Sequence, residues 1–267
     1  MDDHLPPHFS TCSIGDTALQ ADMLQPPRPG ALFLHGWDGA RSDMHGPMCE
    51  AAARGFRCVA PDLRGHGRSR AQRPEVTLRQ MLDDTVEAHD LLLAAAGVES
   101  DALAVIGTSV GGWLAAVLSG MRPVRWLALR VPALYPDAWW DIPKDAFDRD
   151  ALTAYRERGP VATTDRALHA CARFEGDVLL VWSGRDGVLP RCVADSYQLA
   201  FPRAASLVIR ELPEADHALS DPLQQERYRR LLGDWLGEGL LHRMEARATG
   251  THPGGRNDAT CPRSRGG

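Results

Sequence analysis

Short apolar runs recur along the chain at residues 31–34, 57–60, 102–106, 126–131, 178–182 and 206–212. None alternates apolar with polar at a period of two, so each reads as a strand buried on both faces of a parallel sheet. A further strand is expected at residues 17–23, before the turn Pro26-Pro27-Arg28-Pro29-Gly30. The segments between the runs carry helical spacing. Thr77 is placed to cap a helix with Leu78, Met81, Leu82, Thr85 and Val86 on its apolar face and Gly97 as its stop. Asp221 opens another, with Leu223, Tyr228, Leu231, Leu232 and Trp235 on its stripe. Strand alternating with helix predicts the α/β class: a doubly wound, mostly parallel sheet that binds ligands at the carboxyl ends of its strands.

Two stretches break this pattern. Between Val131 and Val178 lie 46 residues, where a crossover with its helix needs about a dozen or somewhat more. The excess predicts a small helical cap at about 133–176, with helices near 150–158 and 165–174. This segment holds six of the chain's 17 aromatic residues, and they serve either as the cap's own core or as pocket lining. Residues 243–267 contain no Leu, Ile, Val or aromatic residue, so they read as a flexible C-terminal tail after a catalytic domain spanning 1–242.

Composition narrows the function. The chain is 44% hydrophobic and 24% charged, as in soluble globular proteins. Its formal charge of −5 divides into +3 on the tail and −8 on the body, which argues against a nucleic-acid partner. No apolar run approaches the roughly 18 residues of a membrane span. The first residues, Met1-Asp2-Asp3-His4-Leu5-Pro6-Pro7, show no secretory signal. The six cysteines have no paired or C-x-x-C spacing and read as reduced thiols, so a cytoplasmic location is expected. No metal-ligand motif and no cofactor motif stands out, and oligomeric state is not legible.

The chemistry begins at Gly107-Thr108-Ser109-Val110-Gly111, a G-x-S-x-G turn between an apolar strand and an apolar helix. Such a turn exposes and orients a serine at the top of a sheet, and the flanking glycines remove Cβ atoms where backbones approach. A base and an acid are then expected on later strand ends. Asp186 follows the run at 178–182, and His217 follows the run at 206–212. In these positions His217 serves as general base and Asp186 orients it. Asp137, which also follows a strand end, is the competing acid. Oxyanion donors are expected from the backbone N–H of Val110 and, in the loop His35-Gly36-Trp37, from that of Trp37.

These motifs, together with Pro61-Asp62-Leu63-Arg64-Gly65-His66-Gly67-Arg68-Ser69, resemble the serine hydrolases of the α/β-hydrolase fold over about residues 14–236. In that fold the cap is inserted after the sixth strand, here the run at 126–131. Ser109 departs from the haloalkane dehalogenases and epoxide hydrolases, which carry aspartate there. The single glycine of His35-Gly36-Trp37 departs from the longer run of hormone-sensitive-lipase-like esterases. The resemblance implies hydrolysis of a carboxylic ester, or a related acyl bond, of a small or medium acyl substrate through a Ser109 acyl-enzyme. A thioesterase or a C–C bond hydrolase uses the same residues, and a non-catalytic ligand receptor on the same fold is the alternative from another class. Trp113, Tyr135, Trp139 and Trp140 are the expected substrate-binding residues.

Overall fold

The computed structural model describes residues 8–13, 20–25, 28–95, 97–159 and 165–249. Strands β1 (His8–Ser13) and β2 (Gln20–Gln25) form a separate antiparallel ribbon. The main sheet holds β3 (Arg28–Leu34), β4 (Arg57–Val59), β5 (Val98–Thr108), β6 (Trp126–Arg130), β7 (Asp177–Arg185) and β8 (Ser206–Asp216). Its order is β4-β3-β5-β6-β7-β8, and every neighbouring pair is parallel. The chain moves outward from β3 to β4, then returns to β5 and proceeds to the other edge. The order therefore reverses at β3 and β5, and the crevice beyond their carboxyl ends is where such a sheet receives ligands.

The described residues include seven α-helices: α1 (His45–Ala53), α2 (Leu78–Ala94), α3 (Val110–Ser119), α4 (Arg149–Glu157), α5 (Arg166–Cys171), α6 (Arg191–Leu199) and α7 (Pro222–Thr249). The unbroken apolar runs are explained by two cores, one on each face. Leu32, Leu34, Leu103, Val105, Leu127, Leu129, Val178 and Leu180 point to one core, with α2, α3, α5 and α6. Their alternates Ala31, Phe33, Ala104, Ile106, Ala128, Leu179 and Val181 point to the other, with α1 and α7. Each fully buried Leu, Ile or Phe contributes roughly 1.5–3 kcal/mol. The capping box expected at Thr77 is present, with Gln80 N–H donating to Thr77 Oγ1 at 3.2 Å and Thr77 N–H to Gln80 Oε1 at 3.0 Å.

The structure departs from the sequence reading at four places. The expected strand at 17–23 is β2, and residues 14–19 lie outside the described ones; its partner β1 carries no apolar run to betray it. The run at 206–212 is not buried on both faces: β8 is an edge strand that buries only Leu212 and Ala215. Its exposed Arg210, Glu211 and Glu214 discourage further strand pairing. Leu223 is exposed, and Gln224 lies buried beside it. Residue 243 is not the start of a tail, because α7 continues through Thr249. Arg243 bonds Glu99 and Asp101 at 2.6 Å each, and Arg247 reaches Glu99 at 2.7 Å. Ion pairs and good helix formers carry this last stretch in place of apolar burial.

Between β6 and β7 the chain forms two one-turn 3-10 helices (Asp137–Trp139 and Lys144–Ala146), then α4 and α5. The last of these packs on α3, where Gly120 permits the approach: a Cβ there would stand 2.9 Å from that of Ala170. Helix α5 therefore belongs to the helical layer, and the true excess is the segment before it. Among the described residues no helix is long and apolar enough to cross a membrane.

Candidate active site

Ser109 stands between β5 and α3 with φ +55° and ψ −116°. The neighbouring glycines are obligatory. A Cβ on Gly107 would lie 2.2 Å from the Gly111 carbonyl oxygen, and one on Gly111 would lie 2.3 Å from that of Leu34. The strained turn is held by backbone bonds: Ser109 N–H donates to Arg130 O at 3.0 Å, and Ala133 N–H donates to Ser109 O at 3.0 Å. Among the described residues the non-glycine positions with positive φ are Ser109, Val131 and Leu219. All three lie beside or within the loops that meet here. Such conformations cost about 1–3 kcal/mol each and gather where a site is held in one geometry.

The structure brings His217 to this turn. Its Nδ1 lies 2.8 Å from Asp186 Oδ2, and its Nε2 lies 3.0 Å from Ser109 Oγ. A carboxylate only accepts, so Nδ1 carries the proton and Nε2 is free to accept from the serine hydroxyl. The other Asp186 oxygen accepts from Val188 N–H at 2.8 Å and Leu189 N–H at 2.9 Å. Burial pushes the Asp186 pKa up, but the bonds from His217 and from these amides outweigh it and hold the carboxyl below its ordinary value. Asp137 is elsewhere: it accepts from Arg166 Nε at 2.9 Å and from Arg166 N–H at 3.2 Å. Asp216 bonds Ser220 N–H at 2.8 Å and so shapes the turn that carries His217.

Val110 and Gly36, the residue before Trp37, lie beside the serine. Val110 is the first residue of α3, where a backbone N–H has no carbonyl within the helix. Gly36 lies against Ser109; a Cβ on it would be 3.6 Å from Ser109 Cβ. The Gly36 carbonyl is turned into its own loop, accepting from Gly39 N–H at 3.1 Å with His35 Nδ1 at 2.7 Å. The Trp37 carbonyl meets His66 Nε2 and accepts from Arg73 Nη1 at 3.0 Å. The glycine-rich loop at residues 65–69 thus has a visible task, which is to brace the Trp37 peptide. The Gly67 position, at φ +54°, also lets Asp62 close against the loop: a Cβ there would meet Asp62 Oδ2 at 2.2 Å.

The four expected substrate-binding residues do not form an open wall. Trp113 and Tyr135 are buried in the core, with ring centroids 5.6 Å apart. Trp140 packs on Trp113 at 6.0 Å and Trp139 on Phe147 at 4.9 Å, both half-buried. Trp113 and Tyr135 thus belong to the core on the α3 face of the sheet, with Trp140 packed against it.

Sequence reasoning missed Arg130. It closes the apolar run of β6, yet its side chain is 3% exposed and directed behind the His217 loop. Nη2 donates to His217 O at 2.6 Å and Nη1 to Ser183 Oγ at 3.2 Å. A single charged residue inside an apolar run was the available signal. Arg130→Met leaves that carbonyl and hydroxyl without their donor and is expected to lower the unfolding free energy by about 2 kcal/mol. Urea denaturation checks this, and an unchanged midpoint would show that the loop is held by other contacts.

Among the described residues no group of three or more His, Cys, Asp or Glu side chains is placed to hold a metal ion. What the arrangement offers is a hydroxyl on an exposed turn, an imidazole that can take its proton, and a carboxylate that orients the imidazole.

The family described as alpha/beta hydrolase fold matches residues 32–129. No curated protein is similar in sequence. Among solved structures, a Paleococcus ferrophilus monoacylglycerol lipase is 17% identical with a TM-score of 0.61, covering 80% of this chain and 97% of that one. A structure described under LipS and LipT, metagenome-derived lipolytic enzymes, is 19% identical with a TM-score of 0.59 over 78% and 94%. A thioesterase domain from the curacin biosynthetic pathway is 14% identical with a TM-score of 0.55 over 86% and 98%. The parallel sheet that reverses at β3 and β5, the family match across those strands and these neighbours agree, and the chain has the α/β-hydrolase fold.

Proposed function

We propose that the chain is a serine hydrolase that cleaves a carboxylic ester, or a related acyl bond, of a small or medium substrate. The observation that carries this reading is the unbroken relay from Asp186 through His217 to Ser109, with contacts of 2.8 and 3.0 Å. In the reaction Ser109 Oγ attacks the acyl carbon while His217 Nε2 takes its proton. The carbonyl oxygen becomes an oxyanion that accepts from the N–H groups of Trp37 and Val110. The tetrahedral intermediate collapses, and the leaving alcohol departs with the proton from His217. Water then attacks the acyl-enzyme, again giving its proton to His217, and the acid leaves as that proton returns to Ser109. Asp186 holds the imidazole in one tautomer and stabilises its charged form.

The chain is assigned one catalytic domain, with the segment between β6 and α5 as its cap. Lipolytic and thioesterase neighbours support acyl transfer chemistry in general. A thioester enters the same steps with a thiol as leaving group. The test is a panel of p-nitrophenyl esters of graded acyl length beside acyl-CoA thioesters, with a fluorophosphonate probe on the same preparation. The expected result is turnover of at least one ester and covalent labelling at Ser109 in the intact protein. A chain that neither labels nor turns over any member is a binding protein on a hydrolase fold.

A further inference from the structure

Several cations of the inserted segment and its surroundings are ion-paired or exposed to solvent. Arg79 is paired with Asp141 at 2.5 and 2.7 Å, Arg166 with Asp137 at 2.9 Å, and Arg73 with Asp38 at 2.7 Å. Lys144 and Arg156 differ, since among the described residues neither has a carboxylate within 4.0 Å. Yet Arg156 is only 8% exposed, and Lys144 is half-buried. A buried cation without a counter-ion costs several kcal/mol. The carboxylates in their field are engaged elsewhere: Asp38 with Arg73, Asp145 with Trp37 Nε1–H at 3.1 Å, and Asp186 with His217.

Both cations lie against one aromatic ring. Lys144 Nζ is 5.8 Å and Arg156 Cζ 5.4 Å from the centroid of Tyr135. Their other contacts lead to the backbone around Ser109. Lys144 Nζ is 4.3 Å from the ring of Trp37, the residue after Gly36. Arg156 Nε donates to Leu134 O at 3.1 Å, one residue past the Ala133 N–H that bonds Ser109 O. Burial brings the Lys144 pKa down to about 8, against the upward pull of Asp38 and Asp145, so its charge is sensitive to what occupies the site.

We propose that Lys144 and Arg156 form a subsite for a carboxylate carried on the acyl portion of the substrate. The preferred substrates are then half-esters or half-thioesters of a dicarboxylic acid. A guanidinium fork and an ammonium together suit a carboxylate, which can accept two parallel bonds from the first and one from the second. The inference rests on Ser109 being the nucleophile, because the subsite is located relative to it.

Two measurements test it. The first compares p-nitrophenyl butyrate with mono-p-nitrophenyl glutarate. The wild type is expected to favour the glutarate ester at least tenfold in kcat/KM. Lys144→Gln is expected to lower kcat/KM for the glutarate ester at least tenfold more than for the butyrate ester. The second needs no turnover. Lys144 is the chain's single lysine, so an amine-directed reagent followed by peptide mass spectrometry reads it alone. Glutarate is expected to slow its modification several-fold, and neutral glutaramide to leave the rate unchanged. Equal wild-type preference for the two esters, an equal loss on both in Lys144→Gln, or no protection by glutarate overturns the subsite. If neither ester is turned over, the serine assignment fails, and the labelling measurement alone decides the subsite.

Discussion

Ser109→Ala is expected to abolish ester hydrolysis, with kcat falling by about a million-fold, the scale of loss when a triad serine is removed. The substitution deletes Oγ and its bond to His217 and little else. Alanine keeps the Cβ, so it sits at φ +55° under the same strain as serine. Its melting temperature should therefore match that of the parent. Ser109→Gly separates chemistry from stability. It too lacks the nucleophile, but glycine adopts positive φ without a Cβ penalty, so the variant should be more stable by about 1–2 kcal/mol. Calorimetry beside the ester assay reads both effects. An alanine variant that kept a tenth of the parent activity would mean that another group attacks the substrate.

The second large effect concerns the acid. Asp186→Asn should lower kcat by about ten-thousand-fold. An asparagine oxygen can still accept from Val188 and Leu189 N–H, so the loop keeps its shape. Its amide nitrogen, however, presents a donor where His217 Nδ1–H needs an acceptor. The imidazole then places its proton on Nε2 and can no longer receive one from Ser109. Asp137→Asn is the matched control, because Asp137 faces Arg166 at the start of α5. Its kcat should stay within a few-fold of the parent. The opposite ranking of the two variants would move the orienting role to Asp137.

Both predictions depend on contacts that differ in how far they could be read from the chain. Strands β3, β5, β6 and β7 were legible because burial on two faces leaves no polar alternation to confuse the pattern. Strand β1 was not, and β8 was legible as a strand at 206–212 but not as an exposed edge. Pairing in an isolated ribbon or at a sheet edge needs no continuous apolar run, and β8 exposes most of its side chains. The end of α7 was misread for another reason. Arg243 is held by Glu99 and Asp101, which are 144 and 142 residues away, and no local property of residue 243 announces them.

The site divides in the same way. The turn at Ser109 is local in part: Gly107 is required by the backbone of Gly111 and Gly112 in the same turn, whereas Gly111 is required by the carbonyls of Leu34 and His35, which the neighbouring strand brings close. The Gly107 requirement operates within a few residues and can be read directly. The choice between Asp186 and Asp137 could not be, nor could the buried positions of Arg130 and Arg156 or the half-buried one of Lys144, whose partners come from distant elements. Which rings the aromatic residues between β6 and β7 pack against is likewise a matter of tertiary contacts.

By itself, then, the sequence determined the sheet, its winding and the serine turn, because hydrophobic period and the steric need for glycine at position 107 are short-range. Only the tertiary structure decided which acid meets His217, what secures the loop behind it and which cations are left without counter-ions. Those outcomes depend on the register of β5, β7 and β8, which brings side chains 31 and 108 residues apart in sequence to within 3.0 Å.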